Sequence, residues 1–332
     1  MKRVKKFLEN INSHDSVLII HHNDLDGIAS GVLLYDSCIK KTKKISHVSF
    51  NHGEKFKFNK YRDFDKIIFV DLADNVVIDI IQFYLKQKKE ILFIDHHQKN
   101  ITLPKEVLVY YNKKEKYIPC SRMVQEIVKN KLWLGVVGTV SDYGFKYKEN
   151  DSYINSFLKK EKIEFDFFFK TIVFTLSNSI VYFNKNINKI FEIIQKLNNY
   201  QDTDKLRSYS EKVEIEFKKL SNTYLKKQEK LGEINYFFVK SKYPLRGTLI
   251  SKLSLENPRE VLIFAGKKSF FSNLIYISSR TGRDDINLRD ILKEGVKNFK
   301  NSSCGGHKKA SGADFHKKYL NEFKKRLYKI KI

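Results

Sequence analysis

The chain has 332 residues, 42% of them hydrophobic, which is enough for two domains with separate cores. Its three cysteines, Cys38, Cys120 and Cys304, fit neither a disulfide framework nor a zinc-binding spacing, which favours a reducing, cytoplasmic compartment. We expect no signal peptide, since the Lys-rich N-terminus lacks an apolar core of sufficient length, and no run of about 18 apolar residues could cross a membrane.

The chain contains 63 Lys and Arg against 38 Asp and Glu, a formal net charge of +25. This excess has two explanations that composition cannot separate. The lysines either simply solvate the surface, or they form an electropositive groove for polyanions, whose binding would weaken steeply with salt.

The first 120 residues alternate between strand-like and helix-like patterns. Asp74 and Asn75 are candidate caps of one of the helices. Short strands separated by amphipathic helices predict a parallel sheet covered by helices on both faces. The predicted helices cover residues 1–10, 28–39 and 76–88, and the predicted strands cover residues 17–21, 45–50, 66–70, 91–94 and 107–111.

Ser121 is a candidate cap of a further helix over residues 122–134. The following stretch, residues 135–144, is apolar except for Thr139, Ser141 and Asp142. A carboxylate in such surroundings is costly without a counter-charge, which a metal ion would supply.

From residue 149 the helical pattern dominates, and it predicts a helical connector over residues 149–230. We therefore expect an N-terminal domain over residues 1–148 and a smaller C-terminal α/β domain over residues 231–332. Its predicted strands cover residues 234–240, 260–265 and 270–278, and its predicted helices cover residues 288–299 and the basic segment from Tyr319.

Acidic and imidazole side chains follow three of the predicted strands. The first strand runs into His21, His22, Asp24 and Asp26, the third into Asp71, and the fourth into Asp95-His96-His97. Because ligands bind at the carboxyl ends of parallel strands, we expect one polynuclear metal centre at this edge of the sheet. The predicted ligands are His22, Asp24, Asp26, Asp71, His96 and Asp142.

Oxygen and nitrogen ligands favour Mn²⁺ or Mg²⁺, and two such ions bridged by Asp71 would suit metal-assisted hydrolysis of a phosphoester. Each residue also has a simpler interpretation: a single Asp after a strand is usually a helix cap, and only one of His21 and His22 need face the metals. Either Asp95 or His97 could be structural. We assign Asp95 to orienting a neighbour and His97 to the scissile phosphate or the leaving group.

These segments, in order, resemble the four motifs of the DHH phosphoesterase superfamily: His22-Asn-Asp24-Leu-Asp26-Gly27, Asp71 after an apolar strand, Asp95-His96-His97, and Asp142 before Tyr-Gly. The resemblance implies a two-lobed enzyme that prefers Mn²⁺ and hydrolyses phosphoester bonds in the cleft between its lobes. Many members carry His where this chain has Ile20, and the shorter His-x-Asp-x-Asp spacing favours His22 over His21 as the ligand.

Gly305-Gly306-His307 resembles the glycine-rich signature of the DHH-associated C-terminal domain in the RecJ-like and nanoRNase-like branch, although the glycine run is only two residues long. Arg280 resembles the arginine that binds the substrate phosphate in this family. The glycines would let backbone amides approach an anion, with charge from Lys308 and Lys309. The simpler alternative is a plain turn with exposed lysines.

The resemblance implies an exonuclease or nanoRNase acting on single-stranded RNA or DNA or on short oligonucleotides. A cyclic dinucleotide phosphodiesterase or nucleotide 3′-phosphatase remains open, as does a non-catalytic nucleic-acid-binding scaffold, whereas the Gly-Gly-His segment argues against a pyrophosphatase. No membrane partner is expected, and a homodimer is left open.

Overall fold

The computed structural model describes residues 1–51, 54–111, 116–267 and 272–330. The chain divides into two compact units, Met1–Glu211 (unit 1) and Lys212–Ile332 (unit 2). Within the described residues, no helix combines the length and the apolar character needed to cross a bilayer.

Unit 1 contains a five-stranded sheet in the order β2-β1-β3-β4-β5, in which every neighbouring pair is parallel. The strands are β1 (Val17–His21), β2 (Ile45–Ser49), β3 (Lys66–Val70), β4 (Glu90–Asp95) and β5 (Leu108–Tyr111). The helices are α1 (Lys2–Glu9), α2 (Leu25–Cys38), α3 (Asp74–Lys86), α4 (Cys120–Val128), α5 (Leu132–Ser141), α6 (Asp151–Glu161), α7 (Phe165–Phe167), α8 (Phe174–Tyr182), α9 (Ile187–Gln195) and α10 (Arg207–Lys227), which crosses the boundary between the units.

Alternate residues of the central strands enter different cores. Ile19 and Ile68 pack with α2, α4 and α5 on one face, whereas Ile20 and Phe69 pack with α3 on the other. A strand buried on both faces must be apolar at successive positions, which explains the continuous runs in the sequence. The predicted parallel sheet with helices on both faces is therefore confirmed.

Two predicted helix starts in unit 1 are wrong. The helix predicted from residue 28 begins at Leu25, because the Asp24 side chain caps it by accepting a hydrogen bond from the Gly27 amide. The helix predicted from residue 76 begins at Asp74, and Asp74 is not its cap: its carboxylate accepts hydrogen bonds from Tyr111 and from the amides of Asn100 and Ile101.

The predicted helix over residues 122–134 is two helices, α4 and α5. Lys129 and Lys131 adopt left-handed conformations, with φ of 56° and 34°, and this reversal separates them. The N-cap of α4 is Pro119 rather than Ser121. The apolar stretch before Asp142 is thus helical, and it places Asp142 at the C-cap of α5.

Unit 2 contains a six-stranded mixed sheet in the order β10-β11-β9-β8-β7-β6, in which only β7 and β8 are parallel. Its strands are β6 (Glu229–Leu231), β7 (Ile234–Val239), β8 (Val261–Gly266), β9 (Leu274–Thr281), β10 (Ser303–His307) and β11 (Ala310–His316). Its helices are α11 (Arg246–Glu256), α12 (Leu288–Gly295) and α13 (Leu320–Lys329). Short 3₁₀ segments cover Phe58–Tyr61, Gly144–Lys146, Lys148–Asn150, Tyr200–Leu206 and Lys317–Tyr319, and a π-helical segment covers Phe168–Val173.

The smaller C-terminal α/β fold is confirmed, with differences in its elements. The strand predicted to begin at Phe270 begins at Leu274, while the predicted positions 270 and 271 lie outside the described residues. Gly305, Gly306 and His307 lie in a strand at the edge of the sheet rather than in a loop or plain turn. The sequence patterns also missed α11, β6 and β11.

Candidate metal centre

Three adjacent strands of unit 1 deliver the predicted metal ligands. β1, β3 and β4 are neighbours in the sheet, and their carboxyl ends lie side by side, with His21 paired in register with Val70 and Val70 with Ile94. His22, Asp71 and His96 each follow one of these strands directly. Parallel pairing thus brings together residues that are far apart in the sequence.

Asp71 lies at the centre of the cluster. One of its carboxylate oxygens is 3.3 Å from His96 Nε2 and 4.0 Å from His97 Nδ1, and the other is 3.8 Å from His22 Nδ1. The residue is 2% exposed, yet neither oxygen accepts a hydrogen bond from the described residues. A buried carboxylate without hydrogen bonds needs a positive partner, and a cation would fit here.

Among the residues that the structure describes, three groups of side chains offer ligand atoms that lie within 4.8 Å of one another, and Asp71 belongs to all three. Two ligands of a single ion cannot be further apart than the sum of two metal–ligand bonds, which is about 4–5 Å for these atoms. The groups are Asp26, Asp71, His96 and Cys120; His22, Asp24 and Asp71; and Asp71, Asp95 and His97.

Asp26 enters the cluster from the first turn of α2. Its two carboxylate oxygens accept hydrogen bonds from the amides of Cys120, at 2.8 Å, and Ser121, at 3.0 Å, at the start of α4. Despite these bonds, burial and then the charges of Asp142 and Asp24 raise the pKa of Asp26 to about 8. The hydrogen bonds of Asp26 therefore connect the edge of the sheet to α4. Its raised pKa means that, without a cation, the Asp26 carboxyl group is protonated near neutral pH.

Asp142 reaches the same cluster from the C-terminal end of α5. Its Oδ2 is 3.5 Å from His96 Nε2 and accepts a hydrogen bond of 2.6 Å from the Tyr117 hydroxyl. Burial raises the pKa of Asp142 to about 6, and burial lowers the pKa of His96 to about 4, which leaves its imidazole neutral and able to bind a metal.

The acids around Asp71 affect its own protonation. Burial, followed by the charges of Asp24, Asp26 and Asp95, holds the pKa of Asp71 well above its ordinary value.

The same residue has φ of 60°, a left-handed conformation that is strained for a residue other than glycine. Such strain is typical of functional sites, where the surrounding structure imposes it.

His22 and His97 each pair with a carboxylate. His22 Nδ1 is 2.8 Å from Asp24 Oδ2, and although burial opposes protonation, this contact raises the pKa of His22. His97 Nδ1 is 2.7 Å from Asp95 Oδ1, and this hydrogen bond raises the pKa of His97. The side chain of His97 is 44% exposed, so its ring borders the cluster and also reaches solvent.

His21 points away from the cluster. It is fully buried, its Nδ1 lies 2.7 Å from the His22 carbonyl oxygen, and its ring stacks on Phe191. Burial lowers the pKa of His21 to about 4. Of the two adjacent histidines, the structure thus brings only His22 to the predicted ligands.

Two residues of the site were missed by sequence reasoning. In the sequence, Cys120 is only an isolated cysteine and Tyr117 carries no signal, yet Cys120 offers a ligand atom and Tyr117 contacts Asp142. No local pattern marks either residue, because Tyr117, before α4, and Cys120, its first residue, reach the cluster through tertiary packing.

The predicted substrate residues lie together in unit 2. His307 of β10 is paired with Ala310 of β11, which is paired with Arg280 of β9, so His307 and Arg280 share one row across the sheet. Gly306 has φ of 120°, a conformation open to glycine but not to other residues, and a Cβ there would lie 2.6 Å from the Ala310 carbonyl oxygen. Burial lowers the pKa of Arg280, which remains cationic near neutral pH.

Solved structures with the same fold include exonuclease RecJ bound to manganese, with a TM-score of 0.73 and 12% identity over 98% of this chain and 93% of that one. RecJ from Thermus thermophilus in complex with Mn²⁺ gives a TM-score of 0.71 and 13% identity over 98% of this chain, which spans about 54% of that protein. CDC45 from Entamoeba histolytica gives 0.60 and 11% identity, over 99% of this chain and 98% of that one. At such identities the likeness concerns the fold.

A comparison with curated proteins finds no significant match. Residues 16–155, however, match the sequence profile of the DHH family, N-terminal domain. This range contains all four motif segments and every residue of the cluster around Asp71. Residues 16–155 thus match a DHH-family N-terminal domain.

Proposed function

We propose that the chain is a divalent-metal-dependent phosphodiesterase, an exonuclease or nanoRNase that removes nucleotides from single-stranded or short oligonucleotides. The observation that carries the proposal is the buried Asp71 carboxylate, which accepts no hydrogen bond from the described residues and is shared by three potential ligand groups. A structural aspartate would be expected to have hydrogen-bond partners.

The proposed ligands are divided between two cations, Mn²⁺ or Mg²⁺, with Asp71 shared. His22 and Asp24 would serve one ion, and His96 and Asp142 the other, while Asp26 reaches the cluster from the first turn of α2. Divalent cations in such a site supply Lewis-acid stabilisation of the phosphoryl oxygens and a water of lowered pKa. The neutral imidazole of His96 and the carboxylates match the ligand preference of these metals.

His97 is the proposed proton donor to the leaving group. Asp95 accepts a hydrogen bond from Nδ1, which directs Nε2 away from Asp95 and raises the pKa of the ring. A histidine whose pKa is raised by a carboxylate partner, and that is partly exposed beside the ligands, is suited to general-acid catalysis. Asp95 is thereby a positioning residue.

The substrate assignment is supported by unit 2 and by the charge of the chain. Arg280 and His307 share a row of the sheet, next to Gly305 and Gly306. Because the glycines have no side chains, a phosphate group of the substrate can approach this basic surface closely. A net charge of +25 favours a polymeric anion over a small neutral substrate.

The test is hydrolysis of short end-labelled RNA and DNA oligonucleotides with Mn²⁺, with Mg²⁺ and with a chelator. We expect metal-dependent release of nucleotides by the wild type and none by the double variant Asp95→Ala, His96→Ala. Asp79→Asn, at an exposed position of α3, is the matched control and should retain full activity. Undiminished cleavage by the double variant would reject the assigned site.

Two related activities are tested by adding substrates to the same assay. A cyclic dinucleotide phosphodiesterase would turn over cyclic dinucleotides faster than linear dinucleotides, and a nucleotide 3′-phosphatase would release inorganic phosphate from nucleoside 3′-phosphates. Failure of the wild type to bind Mn²⁺ in a calorimetric titration would instead favour a non-catalytic nucleic-acid-binding protein.

A further inference from the structure

Unit 2 presents a second arginine on the sheet surface that carries Arg280. Along β9, Ile275, Ile277 and Ser279 are buried, while Tyr276, Ser278 and Arg280 point to the opposite side, which we call the open face. Arg246, the first residue of α11, extends over this face, and its Nε donates a hydrogen bond of 3.0 Å to Ser278 Oγ.

The position of the Arg246 guanidinium is fixed by several contacts. Its Cζ lies 5.9 Å from the centre of the Tyr276 ring. Gly266 of β8 is paired with Tyr276, and a Cβ at Gly266 would lie 3.4 Å from Arg246 Nη1, so the guanidinium lies in contact range of this strand. A side chain held against a ring, a hydroxyl and the backbone has already lost much of its conformational freedom. Binding of a ligand therefore costs less conformational entropy.

Neither arginine has a carboxylate partner within the described residues. Arg246 forms no ion pair there, and Arg280 donates only to the Ser279 carbonyl oxygen. Burial lowers the pKa of the Arg246 side chain, as it does for Arg280. A partly desolvated guanidinium that lacks a counter-charge favours binding of an anion, and its planar fork matches a phosphate.

The two arginines flank a row that has almost no side chains. Gly305, Gly312 and Ser278 are paired in register across β10, β11 and β9, between the row of Arg280 and that of Tyr276. A Cβ at Gly305 would meet nothing within 4 Å, so the space at the β10 end of this row is open. One carboxylate, Asp314, shares the face in the row of Tyr276, where it accepts a hydrogen bond from Ser303.

We propose that Arg246 binds a second substrate phosphate, next to the phosphate bound by Arg280, so that the open face recognises two consecutive phosphates of an oligonucleotide. Ser278 lies two residues from Arg280 along β9, or about 7 Å at the rise of an extended strand. This spacing of the two anchoring positions along β9 suits neighbouring phosphates of an extended single strand. The inference rests on the proposed function and specifies its substrate: a linear chain with at least two phosphodiester groups.

The experiment measures binding of unlabelled oligoadenylates to the full-length chain by calorimetry, in EDTA so that no turnover occurs. Diadenylate carries one phosphodiester and triadenylate carries two. We expect the wild type to bind triadenylate roughly tenfold more tightly than diadenylate, the gain from one additional charge-assisted contact. In Arg246→Ala this gain should fall below about twofold, while the affinity for diadenylate stays within about twofold of wild type.

Arg283→Ala is the matched control. Arg283 lies in the same unit and its replacement removes the same formal charge, but it is already paired with Asp285 at 2.6 Å and with Glu233 at 3.2 Å. The control should keep the gain from the second phosphate. Arg246→Ala should also reduce the dependence of log affinity on log salt by about 0.7 for triadenylate.

Three results would overturn the second-phosphate site. They are an unchanged gain in Arg246→Ala, an equal loss of affinity for both ligands, and no binding of either ligand by the wild type. Hydrolysis is measured separately with wild type and Mn²⁺. If the binding gain depends on Arg246 but no hydrolysis occurs, the proposed activity fails while the phosphate site stands; the converse result rejects the site alone.

Discussion

At the scale of single residues, replacing Asp71 and replacing Arg280 are expected to affect different steps of the reaction. Asp71 is the shared, buried member of the cluster, whereas Arg280 lies in unit 2 on the surface proposed to bind phosphate. Asp71→Asn should lower kcat by roughly a thousandfold, about 4 kcal/mol of barrier, and weaken Mn²⁺ binding. Arg280→Ala should mainly raise KM, because it removes a contact made before the reaction begins. Steady-state kinetics on an oligonucleotide distinguish the two, and equal losses of kcat at unchanged KM would contradict this division.

Tyr117 shows what a residue outside the motifs contributes. Its hydroxyl donates to Asp142 Oδ2 at 2.6 Å and thereby orients a proposed ligand. Tyr117→Phe should reduce Mn²⁺ affinity by about 10- to 100-fold, the usual effect of losing a partner of a metal ligand. Calorimetric titration measures this change. Tyr110→Phe, at a partly buried tyrosine of β5 outside the cluster, should leave the affinity unchanged.

At the scale of secondary structure, the sequence predicted elements whose pattern is local. The strands β1, β3 and β4 are continuous apolar runs, and the structure places them within a residue of the prediction. The strand at Gly305 and Gly306 could not be predicted, because glycine has low strand propensity and the strand depends on pairing with distant β11. The break between α4 and α5 depends likewise on the left-handed Lys129 and Lys131, positions that carry no turn signal.

The packing of α5 against its neighbours depends on Gly138. A Cβ at this position would lie 2.5 Å from Ser121 Cβ of α4 and 3.1 Å from Ala29 Cβ of α2. Gly138→Ala should therefore destabilise unit 1 by about 1–3 kcal/mol, since the backbones must move apart. Urea unfolding followed by the fluorescence of Trp133, the single tryptophan, reports on this unit. Asp79→Ala, at an exposed helical position, should change stability by less than about 0.5 kcal/mol, and an equally small effect of Gly138→Ala would refute the packing argument.

At the scale of the whole molecule, the sequence predicted the α/β class of both units and the resemblance to the DHH family. Both predictions depend on the order of motifs after apolar strands, and this order does not change when a predicted helix or strand boundary is wrong by a few residues. The sequence predicted the six proposed ligands as a group but not how they meet. The motif spacing already favours His22 over His21, but the stacking of His21 on Phe191 is a tertiary contact that the spacing does not show. Likewise the anchoring of Asp26 to the start of α4 joins residues about a hundred positions apart, which no local pattern encodes.

The protonation of the cluster should couple folding to metal binding. The pKa values of Asp26 and Asp142 are raised by burial to about 8 and about 6, above the ordinary value of about 3.9 that an unfolded chain would show. Their contribution to stability is present at low pH and is lost as pH rises through these values, so the metal-free chain should be less stable at pH 8 than at pH 6. A divalent cation replaces the protons and removes this repulsion.

The increase in Tm on adding saturating Mn²⁺ should therefore be larger at pH 8 than at pH 6. At pH 8 fewer protons compete with the cation, and binding of the cation removes more repulsion between ionised carboxylates. Calorimetric titrations in two buffers of different ionisation enthalpy should show proton release on Mn²⁺ binding that is greatest below pH 8. Asp26→Asn, which cannot ionise, should reduce the release and flatten the pH dependence of the Tm increase. A Tm increase that is the same at both pH values, with no proton release, would show that these acids do not bind the metal.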